Sequence, residues 1–163
     1  MKSWYLIYTK SRQEQIASQH LSAQGYRVFV PFLSLKKRTA QGWRLVQEPL
    51  FPNYLFIQLD ESVDSFKPIR STRGVSCFVR FGEQVPAIIP LPVIEQLLAL
   101  DLAMISELRS QIPKIGEEVL VHIADASVKA LVMAIDAPSR VQVLFQLLGQ
   151  ETQSWVDIQQ VVC

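Results

Sequence analysis

The apolar positions of this chain come in unbroken runs before they come in alternating ones. Trp4 to Tyr8 is one such run, and Tyr54 to Ile57 is another. Alternation belongs to a strand with one wet face, and an unbroken run to a strand covered on both. Pro49 and Pro52 cannot donate to a sheet ladder, so the second strand can begin only after Asn53. One of its faces meets the domain's own core. The other, carrying either Tyr54 and Phe56 or Leu55 and Ile57, requires a second object to cover it.

Around these two strands the pattern predicts a compact alternation of elements. Arg12 to Gln24 reads as a helix closed by Gly25 at its C′ position, with Ile16, Ala17, Leu21 and Ala23 on its apolar side and His20 at the border. Tyr26 to Val30 is a second strand, ended by Pro31. Leu33 to Leu50 reads as a projecting hairpin, with Lys36, Lys37 and Arg38 leading into Thr39–Gly42 and Trp43 to Val46 returning. Glu61 to Ser71 has room for one short helix. Thr72 to Phe81 reads as a turn followed by a strand, with Gly74 free to take a positive φ, and Gly82 to Pro90 as loop. Pro92 to Arg109 is a helix whose Val93, Leu97, Leu100 and Met104 share a face. Strand, helix, strands and helix in this order predict an α+β sandwich on an antiparallel sheet.

Gln111–Gly116 is the clearest punctuation, and it divides the chain into a domain over 1–110, a linker over 111–116 and a small tail domain over 117–163. The tail fits two templates. As strands, Val141, Val143, Phe145 and Leu147 alternate with Gln142 and Gln146, and Val119–Ile123, Val128–Ile135 and Trp155–Val161 supply the rest of a small β-barrel. As helices, Glu118, His122, Asp125 and Lys129 line one polar face. Beyond Pro138, Val141, Leu144, Phe145, Leu148, Trp155 and Val156 line an apolar one, which describes a helical hairpin weakened at Gly149. Pattern alone leaves both open.

Charge sharpens the division. Residues 1–82 hold twelve Lys/Arg against five Asp/Glu, and residues 111–163 hold three against six. A basic first half suits a polyanion, and the acidic tail suits something else. Cys77 and Cys163 are too few and too isolated for a disulfide framework or a metal cluster, which points to a reducing cytoplasm. Cys77 reads as a packing residue. The N-terminal apolar run is too short for a signal peptide or membrane span. No Gly-rich phosphate loop and no metal-ligand spacing occurs, so neither enzyme, cofactor nor metal is expected.

Trp4-Tyr5, the run Glu48-Pro-Leu-Phe-Pro-Asn-Tyr-Leu-Phe56, Thr72-Arg-Gly-Val-Ser76 and Phe78-Val-Arg-Phe-Gly82 together resemble the NusG/Spt5 family of transcription elongation factors. Within that family they are most similar to the RfaH-type specialised antiterminators. The resemblance covers residues 2–110. Over 115–163 it is loose, and Ala124–Ser127 stands where a KOW-type barrel has a turn glycine.

The resemblance implies a monomeric factor that docks on the clamp helices of RNA polymerase's largest subunit and suppresses pausing and termination. At matching positions the docking patch is Tyr54 and Phe56, with Phe51, Phe81 and Leu97. It further implies that Lys10, His20 and Arg73 contact the displaced non-template DNA strand, with Trp4 and Arg12 nearby. Glu48 and Arg140 align with an ion pair that holds a helical tail over the patch. The released barrel tail is implied to bind a small-subunit ribosomal protein. Ser65-Phe-Lys-Pro68 replaces a hydroxyl-rich motif that touches the second polymerase pincer. A general NusG-type factor with a permanent barrel, or a single-stranded RNA-binding module, are the rival expectations.

Overall fold

The computed structural model describes residues 1–82, 84–99, 140–141, 144–146 and 148–149. Among the described residues up to Ala99, seven strands and three helices succeed one another in order: β1 (Lys2–Thr9), α1 (Glu14–Ala23), β2 (Arg27–Phe29), β3 (Phe32–Thr39), β4 (Gly42–Pro49), β5 (Tyr54–Asp60), α2 (Phe66–Arg70), β6 (Val75–Phe78), β7 (Ile88–Ile89) and α3 (Leu91–Ala99). The main sheet runs β2-β5-β1-β6, with β7 also on β1, and every pairing is antiparallel. The fold is the expected mixed α/β one.

β1 and β5 form the centre, in a register that sets Tyr8 opposite Tyr54, Leu6 opposite Phe56 and Tyr5 opposite Ile57. Because strand side chains alternate, this register divides the core into two layers. Leu55 and Ile57 join Tyr5, Ile7, Ala17 and Leu21 beneath α1. Tyr54 and Phe56 join Trp4, Leu6 and the α3 residues Val93, Ile94 and Leu97 on the opposite side. Burying each such large side chain contributes about 1.5–3 kcal/mol, so both layers hold the sheet.

α1 ends as its sequence predicts. Gly25 takes φ +92°, its N–H donates to the Ser22 carbonyl, and the Tyr26 N–H donates to that of Leu21. Those two bonds make a Schellman cap. At its start, buried Glu14 accepts the Asn53 N–H at 2.8 Å, which fixes the loop that feeds β5. The hairpin β3–β4 forms its own two-stranded sheet, and Trp43 and Leu45 are exposed on it.

Two local expectations need correction. Ile88–Ile89, read as loop, pairs with Trp4 and Tyr5; a two-residue strand has no periodicity to detect. Gly149 does not weaken the middle of a helix. It closes a turn at φ +78°, where its N–H donates to the Gln146 carbonyl. The remainder of the helix expected to run to Arg109, the linker 111–116 and most of the tail domain lie outside the described residues.

Candidate functional site

Tyr54 and Phe56 lie next but one on β5 and so face the same layer. Both are buried, as are Phe51 and Leu97, while Phe81 is half-buried at the edge of the same cluster. The ring partners of Phe56 come from its own neighbourhood. Phe29 stacks at 5.9 Å between centroids, and Phe51 meets it edge-on at 6.4 Å. Tyr54 is different. It leans on Tyr8 at 5.3 Å, and its other ring neighbour is Phe145 at 5.7 Å and 77°. Phe145 also meets Phe81 edge-to-face at 5.4 Å.

The second face of β5 is therefore covered by α3 together with a piece of the tail. Arg140, Val141 and Leu144 to Gln146 are helical, and Val141, Leu144 and Phe145 are buried against the Tyr54 layer with Leu148 beside them. The strand template does not hold at Val141, Leu144 and Phe145, which are helical. Its alternation would turn Leu144 away from the face that Phe145 occupies, whereas the helix brings Val141, Leu144, Phe145 and Leu148 onto one side.

At the head of this segment Arg140 is only 1% exposed. Its Nε donates to the Leu50 carbonyl at 2.8 Å, and a terminal guanidinium nitrogen donates to Glu48 Oε1 at 3.2 Å. Both partners belong to the Glu48–Asn53 stretch that leads into β5. A buried cation needs such pairing, since an unpaired one carries a large desolvation cost. Burial, and secondarily the neighbouring Tyr8, raise the Tyr54 phenol well above its ordinary pKa, so the ring is held neutral under its cover.

The basic candidates occupy another edge. The Lys10 N–H donates to the Gly74 carbonyl at 2.8 Å, which sets Lys10 beside the Arg73–Gly74 turn. Gly74 lies so close to α1 that a Cβ there would meet the Ala17 nitrogen at 2.8 Å. Gln24 then ties the end of α1 to the same turn, donating to Thr72 Oγ1 at 2.9 Å and to the His20 carbonyl at 3.1 Å. Lys10, His20 and Arg73 are all exposed along this seam. Gln24 and Thr72, which hold the seam together, were missed in the sequence. The one available signal was that Gln24 comes one helical turn after His20.

Two members of that group stand apart. Trp4 is 4% exposed and packs in the Tyr54 layer, with the Arg27 guanidinium 5.5 Å from its ring centroid. It is a core residue and offers no face to a nucleic acid. Arg12, at φ +57°, opens onto a separate recess of about 510 Å³ shared with Phe32, Glu48 and Asn53. Ser65–Pro68 forms the start of α2, where Ser65 accepts the Lys67 N–H and Phe66 packs edge-on against Tyr5 and Phe78.

Cys77 packs against the Tyr54 layer as expected, but the expectation that it forms no disulfide needs correction. It is held in a disulfide, half-buried on β6 opposite Tyr8. Among the described residues no group of side chains could hold a metal ion. Nor is any helix among them long and apolar enough to cross a membrane.

Comparison with known proteins places this site in context. Residues 2–98 match the family model described as transcription termination factor nusG. Among solved structures, one of Thermotoga maritima NusG, described by its domain interaction, is similar with a TM-score of 0.42 and 22% identity. That match covers 76% of this chain and 66% of the Thermotoga chain, just under two thirds of its length.

Proposed function

The chain belongs to the NusG family, and on that premise we propose that it is a transcription elongation factor of the RfaH type, in a closed resting form. In this reading the Tyr54 layer docks on RNA polymerase, at the clamp helices of the largest subunit, and pausing and termination fall as a result. Tyr54 and Phe81 are the exposed part of the docking face once the tail leaves, supported from behind by Phe51, Phe56 and Leu97. Lys10, His20 and Arg73 hold the displaced non-template strand by charge along its backbone and by stacking on its bases. The factor works in the cytoplasm as a monomer and carries no catalytic group. Contact of a released barrel tail with a small-subunit ribosomal protein belongs to the same reading.

One observation carries it. The segment that rests on Tyr54 is helical and is anchored by a buried arginine. A general NusG-type factor with a permanent barrel does not account for helical backbone at Arg140, Val141 and Leu144 to Gln146. Nothing in the described sheet interleaves exposed aromatics with cations along the Lys10–Arg73 seam, as a single-stranded RNA platform requires.

The test is binding of the full chain to core RNA polymerase, compared with Phe145→Asp. Placing a carboxylate between Tyr54 and Phe81 expels the tail, so the variant is expected to bind polymerase more tightly than the parent. Equal affinity for the two chains rejects masking. Absence of binding in both rejects the docking face.

A further inference from the structure

The basic seam does not end at Arg73. Three residues earlier, across the turn at Ser71 and Thr72, α2 closes on Arg70, and chain length alone keeps the two Cα atoms within about 11 Å. Arg70 opens onto a recess of about 700 Å³, which it lines with Lys67, Ser65, Ser71, Ser76 and Phe66. That lining holds two cations and three hydroxyls and no carboxylate. The carboxylates that precede it in sequence are engaged elsewhere: Glu61 accepts the Tyr5 hydroxyl, and Asp64 accepts the Asp60 N–H at 2.8 Å. Lys67 and Arg70 are exposed, and among the described residues neither is in an ion pair. We propose that this recess is a further phosphate-binding subsite, which takes the backbone of the single DNA strand as it leaves Lys10 and Arg73. The inference rests on the reading of that seam as a DNA contact and carries it across the turn.

The recess suits a sugar–phosphate backbone better than a base. Its one ring, Phe66, is half-buried and packs edge-on against Tyr5 at 5.4 Å and Phe78 at 5.0 Å, so it belongs to the core. Charge and hydroxyl groups are what remain. The Arg70 guanidinium can take two oxygens of one phosphate, Lys67 supplies a point charge on a flexible stem, and the Ser76 hydroxyl can donate to a further oxygen. The spacing from the seam is set by the fold. Ser71 Oγ donates to the Lys67 carbonyl at 3.3 Å, and Thr72 Oγ1 donates to that of Pro68 at 3.0 Å, which fastens α2 to the turn that carries Arg73. The same Thr72 hydroxyl accepts from Gln24 at the end of α1. Recess and seam thus share one hydrogen-bonded frame, and a site organised before its ligand arrives lowers the ordering cost of binding. An acidic protein segment meets the same charge, but continuity with Arg73 favours a strand long enough to pass both.

The experiment titrates the full chain into a labelled oligothymidylate of about 12 nucleotides, within the range of single-strand site sizes, across a series of salt concentrations. Lys67→Ala and Arg70→Ala are each expected to lower the slope of log affinity against log salt by about 0.7, with an unchanged thermal midpoint. Lys67→Ala combined with Lys10→Ala is expected to lower it by about 1.4, because the two cations sit on different phosphates of one strand. Lys67→Arg keeps the charge and is expected to keep the slope. Slopes unchanged in both Lys67→Ala and Arg70→Ala, beside a drop in Lys10→Ala, overturn the recess and leave the seam standing. Slopes unchanged in all three remove the seam reading and the recess with it. A loss of affinity for core polymerase in Lys67→Ala or Arg70→Ala, with the DNA slope unchanged, assigns the recess to an acidic protein segment and overturns the proposal.

Discussion

Arg140 and Glu48 meet at 3.2 Å, a buried guanidinium against a carboxylate that keeps partial access to solvent, 92 residues apart in sequence. The asymmetry in burial decides what the contact does. The arginine cannot stay where it is without a partner, whereas the glutamate can turn to water. The pair thus couples the tail to the sheet from the tail's side.

Glu48→Lys tests that coupling. It leaves Arg140 facing a like charge in a buried site, at a cost on the order of 3 kcal/mol to the closed form. The tail segment is expected to detach while the two core layers persist. Faster amide exchange at 140–149, with unchanged protection in β1 and β5, is the supporting result. Equal loss of protection everywhere means the substitution unfolded the domain instead.

Alkaline titration reads the same cover from beneath. The fold raises the Tyr54 phenol above its ordinary value of 10.0, first through burial. A raised folded pKa for a group that is neutral when protonated means that the closed form loses stability as pH climbs past 10, where the unfolded or uncovered phenol ionises first. Tyr5 behaves similarly: burial, then its hydrogen bond to Glu61, pushes it up to about 12. Absorbance at 295 nm should show Tyr54 ionising late in the parent chain. In Glu48→Lys it should ionise closer to 10, with Tyr54→Phe identifying the step.

Much of this was legible in the chain itself. The unbroken run Tyr54–Ile57 demanded cover on both faces, and the structure supplies α1 on one and α3 with the tail segment on the other. Gly25 announced the end of α1 because only a residue at ease with positive φ closes that cap. The tail was ambiguous for a physical reason. Val141, Leu144, Phe145 and Leu148 satisfy a period near 3.6, while Val141, Val143, Phe145 and Leu147 satisfy a period of 2. Only contact with Tyr54 and Phe81 chooses between them. Trp4 was misread because its position in the register, beside Ile89 and in the Tyr54 layer, cannot be seen from a single strand. The disulfide at Cys77 was equally hidden, since cysteine pairing is a property of the tertiary fold.

Gly74 is the position where the basic seam is most easily broken. At φ +88° and in contact with Ala17, it has neither the conformation nor the space for a side chain. Gly74→Ala is expected to cost about 1–3 kcal/mol, because left-handed strain adds to a backbone clash that no rotamer can relieve. Thermal unfolding of the full chain measures the loss. The turn that carries Arg73 should move away from His20, so any DNA affinity should fall further than stability alone explains.

Nucleic-acid binding along that seam makes a separable prediction. Lys10 and Arg73 are exposed and are set side by side by the Lys10–Gly74 hydrogen bond, so neither is needed to fold the domain. If each neutralises one phosphate, replacing either by alanine should lower the slope of log affinity against log salt for single-stranded DNA by about 0.7. The two losses should add, since the cations act on different phosphates. His20→Ala removes a ring that can stack on a base, and it should weaken binding by about 1–3 kcal/mol while leaving the salt slope nearly unchanged. Fluorescence anisotropy with a labelled oligonucleotide, repeated across salt concentrations, distinguishes these effects. Unchanged slopes in both Lys10→Ala and Arg73→Ala would mean that this edge is ordinary solvated surface, whatever the aromatic face on the other side of the sheet binds.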